Sequence, residues 1–300
     1  MKYDGPSLVS PSLPNYEPKF VDIFLPLIIS ILAPVIALFY DQPIIILFGG
    51  VLACIAFAIL FKRRIHTEMK KARPLMVSVN GKPTPFYRHE IASHDVDPQK
   101  TFTPLCPNEL PVPDGDRIVQ ELNNQAALAK IRTCSKEAHN PGALHIATPS
   151  KPQFTPIEGE PDLDCHWNSH GQSGTTGAEF LDGLPDILDY HFVAYKGMES
   201  NLHPYGGCYH DTHGRLSTGL IEFYRYLGIK LVIVGGLATD YCVKATVLQL
   251  LEAGFVVIVN MHACRGVSMA TTADAINEMA AAGAKIMSSC SGIESLRYEG

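Results

Sequence analysis

The sequence predicts an α/β protein, a doubly wound parallel sheet with helices on both faces, preceded by a two-helix transmembrane hairpin. Three observations support this prediction. The second half of the 300-residue chain alternates short apolar runs with segments of helical spacing. Those apolar runs contain few polar residues, which is typical of strands that are buried on both faces. Near the start of the chain, two longer apolar runs carry no charge.

Composition excludes several classes of function. The 24 Lys and Arg residues against 30 Asp and Glu give a formal net charge of -6. No basic stripe with interleaved aromatic residues is visible, so no nucleic-acid partner is expected. The eight cysteines are scattered and form no CxxC pair, which argues against a disulfide framework and favours a reducing compartment.

Residues 20–62 are predicted to form the transmembrane hairpin. Phe24–Tyr40 and Ile44–Phe61 are free of charge, and each is about long enough to cross the hydrocarbon core. Six Lys and Arg residues follow between positions 62 and 73, whereas the turn between the runs has none. The positive-inside rule then places both termini, and with them the catalytic domain, on the cytoplasmic side of a membrane.

The hairpin has two alternative interpretations. A cleaved signal peptide is disfavoured by the second apolar run and the weakly basic start. A buried helical hairpin in a soluble assembly is the other alternative. If the hairpin is membrane-bound, lipid is a partner, and Gly49 and Gly50 are compatible with helix packing in a homo-oligomer. The domain prediction is a tail (1–19), the hairpin (20–62), a basic juxtamembrane linker (63–86) and the catalytic domain (87–300).

The catalytic domain is predicted to alternate strands and helices. Gly228, Gly254 and Gly283 follow three of the helices as stop signals, and Ser217 is placed as a cap before the first of them. Gly235 and Gly236 are expected to break the central apolar strand. The predicted elements are strands at Ile91–Pro98, Phe192–Gly197, Leu231–Val234, Phe255–Asn260 and Lys285–Met287, and helices at Thr218–Leu227, Lys244–Ala253 and Thr272–Ala282.

Three predicted strand ends carry chemically reactive side chains. Asp97 ends the first strand, Lys196 ends the second, and Cys242 lies between the central strand and a helix. Ligands of such sheets bind at the carboxyl ends of the strands. A carboxylate can take the proton of a thiol and pass it to a leaving amine, and a lysine can hold the thiolate. Asp95 competes with Asp97 for the role of the acid.

The chain resembles the nicotinamidase branch of the isochorismatase-like cysteine hydrolases. The matching segments occur in the family's order over about 200 residues, and the hydrophobic hairpin lies outside them. The segment around Cys242 is the most specific. The segments are Val96–Phe102, Ser135–Pro141, Trp167–Thr175, Tyr195–Gly197, His203–Gly206 and Gly235–Val243.

The resemblance implies the roles of several residues. Cys242 matches the family's nucleophile, Asp97 its general acid/base and Lys196 the third member of its catalytic triad. A cis peptide is implied at Leu237–Ala238, with the backbone N–H groups of Ala238 and Cys242 forming the oxyanion hole. Phe102 and Trp167 match the aromatic walls around a pyridine ring, although ordinary core packing would also explain them.

The resemblance also implies a divalent metal ion that binds the pyridine nitrogen. The matching ligands are Glu137, His139 and His170, a donor set that suits Zn²⁺ and also Fe²⁺ or Mn²⁺. Three positions depart from the family's pattern: Glu137 replaces an aspartate, Asn168 a proline and Gly171 a cysteine. The last two are expected to loosen the loop that carries His170.

The leading functional hypothesis is an amidase that converts nicotinamide to nicotinate and ammonia in NAD salvage, held at a membrane. A related amidase for another small amide, such as a carbamoyl or ureido compound, is the first alternative. The second is a non-catalytic membrane or assembly protein on a hydrolase fold, which the intact Asp97, Lys196 and Cys242 disfavour.

Overall fold

The computed structural model describes residues 55–63 and 73–297. The chain divides into two compact units, Met1–Met69 and Lys70–Gly300. Residues 55–63 of the first unit are helical, and most of the predicted transmembrane hairpin lies outside the described residues. Within the part of the chain that the structure describes, no helix combines the length and the apolar character needed to cross a membrane.

The second unit is built around a six-stranded parallel sheet. Its strands lie in the order β5-β4-β3-β6-β7-β8, and a separate antiparallel pair is formed by β1 and β2. The strands are β1 (Leu75–Val79), β2 (Lys82–Phe86), β3 (Ile91–Val96), β4 (Ile131–Glu137), β5 (Phe192–Lys196), β6 (Leu231–Leu237), β7 (Val256–Arg265) and β8 (Lys285–Met287). The helices are α1 (Val119–Leu128), α2 (Leu220–Tyr226), α3 (Lys244–Glu252), α4 (Met269–Ala281) and α5 (Cys290–Glu294).

The order of the strands creates a switch point between β3 and β6. From β3 the chain adds β4 and β5 on one side, and it then returns to add β6, β7 and β8 on the other. Connections from β3 and β6 therefore leave in opposite directions, which opens a crevice at their carboxyl ends. The loop after β3 carries Asp97, and the turn after β6 carries Cys242.

Both faces of the sheet are covered, which confirms the doubly wound prediction. Side chains along β6 alternate between two clusters, with Val232 and Val234 in one and Leu231 and Ile233 in the other. The first cluster includes buried residues of α2, α3 and α4, and the second includes residues of β1, α1 and α5. β6 is apolar throughout, as expected of a strand buried on both faces, whereas β3 also buries Ser93, His94 and Asp95.

The predicted linker is wrong for residues 75–86. These residues form the β1–β2 hairpin, whose Leu75, Val77 and Phe86 are buried against the second cluster. Asn80 and Gly81 adopt φ values of 50° and 76° in the connecting turn. An Asn-Gly pair between alternating apolar residues is a strong hairpin signal that the sequence analysis passed over.

Other boundaries differ in smaller ways. Ser217 does not cap α2, because its hydroxyl accepts the N–H of Gly219 one residue before the helix begins. Gly235 and Gly236 do not break β6, which continues to Leu237. A Cβ atom at Gly236 would lie 2.1 Å from the Val96 carbonyl oxygen. Glycine here permits the close approach of β3 and β6.

Candidate active site

Cys242 lies in a single turn between β6 and α3. This turn, Thr239–Val243, has π-helical hydrogen bonding, and α3 begins directly after it. The Cys242 side chain is buried. The preceding peptide bond, Leu237–Ala238, is cis, as the resemblance implied. Ala238 and Cys242 both line the same cavity.

The structure brings the three predicted catalytic side chains together. Lys196 Nζ lies 3.1 Å from Asp97 Oδ2 and 3.6 Å from Cys242 Sγ. A carboxylate oxygen of Asp97 and the Cys242 sulfur lie within 4.8 Å of each other. Lys196 and Asp97 are fully excluded from solvent. The side chains meet because β3, β5 and β6 are parallel and end at the same edge of the sheet.

Asp95, the alternative acid, forms a different set of contacts. Its Oδ2 accepts hydrogen bonds from Arg132 Nε at 2.7 Å and from the Tyr190 hydroxyl at 2.9 Å. Asp97 instead follows β3 with a φ of 42°, outside the strand geometry. Of these two carboxylates, Asp97 is therefore the one beside the thiol. Asp95 forms a buried ion pair with Arg132.

Ser135 on β4 holds Asp97 in place. The Ser135 hydroxyl donates to Asp97 Oδ1 at 2.7 Å, and it accepts the Asp97 backbone N–H at 3.2 Å. Ser135 begins a segment that matches the family, but no role was predicted for it. Its position two residues before Glu137 on a strand places both side chains on one face, which was the available signal.

Electrostatics around the thiol are dominated by burial and by the lysine. Burial raises the pKa of the Cys242 thiol well above its usual range, with Lys196 acting in the opposite direction. Burial also raises the pKa of Asp97, again opposed by Lys196. Burial alone would lower the pKa of Lys196, but Asp97, Cys242 and Glu137 raise it well above its usual range. The lysine is therefore a fixed positive charge beside a thiol that is protonated before a substrate arrives.

The cavity at Cys242 is small and aromatic. Its volume is about 290 Å³, at the lower end of ligand pockets, which span about 300–1,000 Å³. Phe102 and Trp167, the predicted aromatic walls, both line it, as do Tyr205 and Tyr241. The rings of Trp167 and Tyr241 meet edge to face with centroids 5.3 Å apart. A cavity of this size between aromatic walls suits a ligand that has a single flat ring.

The predicted metal ligands lie in a cluster of buried histidines. His139 and His170 have ring centroids 4.7 Å apart. Glu137 Oε2 lies 2.7 Å from His139 Nε2, while its other oxygen contacts Lys196. His145 and His203, for which no role was predicted, join the same cluster. A signal for His203 was present, because it begins the matched segment His203–Gly206, whereas His145 lies outside the matched segments.

The donor atoms of this cluster fit a divalent metal ion. His139 Nδ1 is hydrogen-bonded to the Gly197 carbonyl at 2.8 Å, and His170 Nδ1 to the Asn168 carbonyl at 2.7 Å. Such bonds fix the ring so that Nε2 presents its lone pair, as is usual for metal ligands. His139 Nε2 and Glu137 Oε2 are buried and face each other at 2.7 Å, so both donor atoms lie within reach of one ion. Burial lowers the pKa of His170 to about 4, so its ring is neutral and able to coordinate.

Gly171 has a structural reason, because its backbone lies close to Glu137. A Cβ atom at Gly171 would lie 2.8 Å from Glu137 Cβ, so a larger residue would require this contact to shift. The Gly171 N–H donates to Thr101 Oγ1 at 3.0 Å, and its carbonyl accepts the His139 N–H at 3.1 Å. Gly171 therefore packs directly against the base of the Glu137 side chain.

Comparisons with known proteins agree with this geometry. The family model described as "Isochorismatase domain" matches residues 96–291. A nicotinamidase of Escherichia coli is 33% identical over 204 residues, which cover 64% of this chain and 91% of the relative.

Two solved structures extend the comparison. An Acinetobacter baumanii nicotinamidase and pyrazinamidase has 29% identity and a TM-score of 0.61, with 66% of this chain and 96% of that chain covered. A pyrazinamidase of Pyrococcus horikoshii in complex with zinc has 28% identity and a TM-score of 0.54, with coverages of 66% and 98%.

Proposed function

Since the chain belongs to the isochorismatase family and is a hydrolase that acts on amide bonds, we propose that it converts nicotinamide to nicotinate and ammonia. The observation that carries the proposal is the contact of Lys196 with both Asp97 and Cys242 at the base of a small aromatic cavity. The nicotinamidases among the relatives support the choice of substrate.

The first half of the proposed reaction forms a thioester. Asp97 accepts the Cys242 proton, and the thiolate attacks the amide carbonyl carbon. Lys196 stabilises the thiolate, because its ammonium lies 3.6 Å from the sulfur. The backbone N–H groups of Ala238 and Cys242 would donate hydrogen bonds to the carbonyl oxygen as it becomes negatively charged. Asp97 then returns the proton to the nitrogen, and ammonia leaves as the carbon–nitrogen bond breaks.

The second half hydrolyses the thioester. Asp97 takes a proton from water, the resulting hydroxide attacks the thioester carbonyl carbon, and the carbon–sulfur bond breaks. Asp97 then returns its proton to the Cys242 sulfur, and the product leaves as nicotinate after losing its acid proton to solvent. A carboxylate suits both halves because burial raises the pKa of Asp97 above its ordinary value, which makes it a better proton acceptor. Phe102 and Trp167 would orient the ring beside the sulfur, since both line the cavity.

The proposed metal site lies beside this machinery. Glu137, His139 and His170 would hold the ion, and Zn²⁺ is favoured over Fe²⁺ or Mn²⁺ by the donor set and by the zinc-bound relative. When bound, such an ion supplies a Lewis acid for the pyridine nitrogen of the substrate.

The substrate proposal predicts a clear preference in an ammonia-release assay. Purified full-length protein should release ammonia from nicotinamide and pyrazinamide, and release far less from benzamide, which lacks the ring nitrogen. A chelator should reduce turnover of nicotinamide, and zinc should restore it. Equal rates with benzamide would contradict recognition of the ring nitrogen. No ammonia from any of the three compounds would point to a different small amide.

We also propose that residues 20–62 tether the enzyme to a membrane with the catalytic domain on the cytoplasmic side. The charge-free runs and the basic residues after them support this. Five apolar side chains of the described helical segment 55–63 are exposed, as expected for a surface that lipid covers. They are Ile55, Phe57, Ile59, Leu60 and Phe61.

The tether predicts that the full-length protein stays with membranes after a carbonate wash. Leu52→Arg should release a substantial fraction, because an arginine at the centre of a span costs roughly 2.5–3.5 kcal/mol of insertion free energy. Leu52→Ala is the matched control and should stay bound. Recovery of the unmodified protein in the supernatant would contradict the tether without bearing on the amidase proposal.

A further inference from the structure

We infer that Tyr205 and Asp164 are positioning residues that fix the indole ring of Trp167, an aromatic wall of the cavity. The inference rests on the proposed function, because it assigns a task to two further side chains at the same substrate site. The Trp167 indole N–H donates to the Tyr205 hydroxyl oxygen at 3.2 Å, and the Tyr205 hydroxyl donates to Asp164 Oδ2 at 2.6 Å. These three side chains are called the Trp167 anchor below.

The chemistry of the three groups sets the direction of the hydrogen bonds in the anchor. An indole N–H can only donate, so the Tyr205 oxygen accepts from it and the Tyr205 proton points to the carboxylate. The O···O distance of 2.6 Å is typical of a hydroxyl that donates to an ionised acceptor. Burial and the hydrogen bond to Asp164 raise the pKa of Tyr205 well above its usual range, so the hydroxyl keeps the proton that it donates.

Backbone hydrogen bonds hold the two loops that the anchor joins. The Asp164 carbonyl accepts the Ile157 N–H at 3.0 Å, within the segment between β4 and β5. The carbonyl of Pro204, which precedes Tyr205, accepts from Lys196 Nζ at 3.2 Å. The anchor therefore connects the loop that carries Trp167 to the loop that contacts the catalytic lysine.

A second contact restrains the same indole ring. Phe154 packs edge to face against Trp167 with ring centroids 5.1 Å apart, although Phe154 is 57% exposed. Its φ of 71° lies in the left-handed region, which is rare for a bulky residue. Such a conformation persists only where surrounding contacts hold it, and here the Phe154 N–H donates to the His166 carbonyl at 2.7 Å. Packing and the anchor thus act on one ring.

The position of the indole bears on the reaction because Trp167 lines the cavity together with Cys242. A wall that turned would change the distance between the substrate carbonyl carbon and the sulfur. A misplacement of about 1 Å can lower the rate roughly a hundredfold. Loss of the Tyr205 hydroxyl would also leave the buried indole N–H without its acceptor. It should therefore loosen the ring and weaken catalysis without removing a reacting group.

The first test measures the mobility of the indole in ligand-free, full-length protein by time-resolved fluorescence anisotropy. Trp167 is the single tryptophan of the sequence, so the signal belongs to it alone. The unmodified protein should show only slow decay, whereas Tyr205→Phe and Asp164→Ala should each add a fast component. Asp164→Asn should suppress that component, because its amide oxygen still accepts from Tyr205. Tyr209→Phe, on the same loop but packed in the first hydrophobic cluster, is the matched control and should behave like the unmodified protein.

The second measurement is ammonia release from nicotinamide by the same variants. Tyr205→Phe and Asp164→Ala should each lower kcat/KM about tenfold, the order expected when a buried donor loses its acceptor. Asp164→Asn should retain most of the activity, and Tyr209→Phe all of it. Asp164 is exposed, so its variants should fold like the unmodified protein. Circular dichroism checks that each variant is folded.

The outcomes separate the inference from the proposed function. An unchanged anisotropy decay in folded Tyr205→Phe and Asp164→Ala would overturn the anchor even if nicotinamide is hydrolysed. A mobile indole with an unchanged kcat/KM would overturn the positioning role. If the unmodified protein releases no ammonia from nicotinamide, the choice of substrate is wrong, and the anisotropy of the variants alone decides whether Tyr205 and Asp164 fix the indole.

Discussion

Replacing Cys242 with alanine is expected to reduce amide hydrolysis at least about a thousandfold, since no thioester can form without the nucleophile. The fold should persist. Alanine removes a single buried sulfur atom, so we expect the free energy of unfolding to change by no more than about 1 kcal/mol. The measurements are ammonia release at saturating nicotinamide and unfolding in denaturant.

Cys290→Ala is the matched control for this variant. Cys290 is also a buried free cysteine, but it begins α5 and packs in the second hydrophobic cluster, away from the cavity. It should retain the activity of the unmodified protein. If Cys242→Ala turned over nicotinamide at a rate near that of the control, the proposed mechanism would be wrong.

Replacing Lys196 with methionine is expected to have the largest effect on stability and to abolish activity. Lys196 is fully buried and contacts Asp97 and Glu137, which are themselves buried. Its removal leaves two carboxylates near each other without a compensating charge. Removal of one partner from a buried ion pair typically destabilises a protein by about 3–5 kcal/mol. We therefore expect the free energy of unfolding to fall by an amount of that order at neutral pH.

The pH dependence of this loss is a further expectation for the same variant. Below the pKa values of the two carboxylates, both would be protonated and the penalty would fall. The difference in unfolding free energy between the variant and the unmodified protein should therefore shrink as the pH is lowered. Lys230→Met is the control, because Lys230 is largely exposed and pairs with Glu90 at the surface. A Lys196 variant as stable as this control would contradict the buried charge network.

The apolar strands and the turn after β6 were predictable because their causes are local. The run at 231–234 predicted β6, and Lys196 was correctly placed at the end of β5. The helix predicted at 244–253 ends at Glu252 in the structure, one residue earlier than predicted. Gly254 was the stop signal for this prediction. These signals depend on residues close together in the chain, so periodicity and stop signals are sufficient.

Other features depended on contacts between distant segments. The resemblance favoured Asp97 over Asp95, but the contacts that separate them are long-range: Arg132 contacts Asp95, and Ser135 contacts Asp97. Gly171 looked like a source of flexibility until its approach to Glu137 was visible. Each of these partners lies more than thirty residues away along the chain.

By itself, the sequence determined the doubly wound sheet and the meeting of Asp97, Lys196 and Cys242, because residues at the ends of parallel strands lie at one edge. Tertiary structure alone decided the make-up of the histidine cluster. His145 and His203 lie on loops, whose paths no periodicity dictates, and they join His139 and His170 through packing and long-range hydrogen bonds. Spacing fixes where a strand ends, whereas only the folded loops fix which side chains share a space with it.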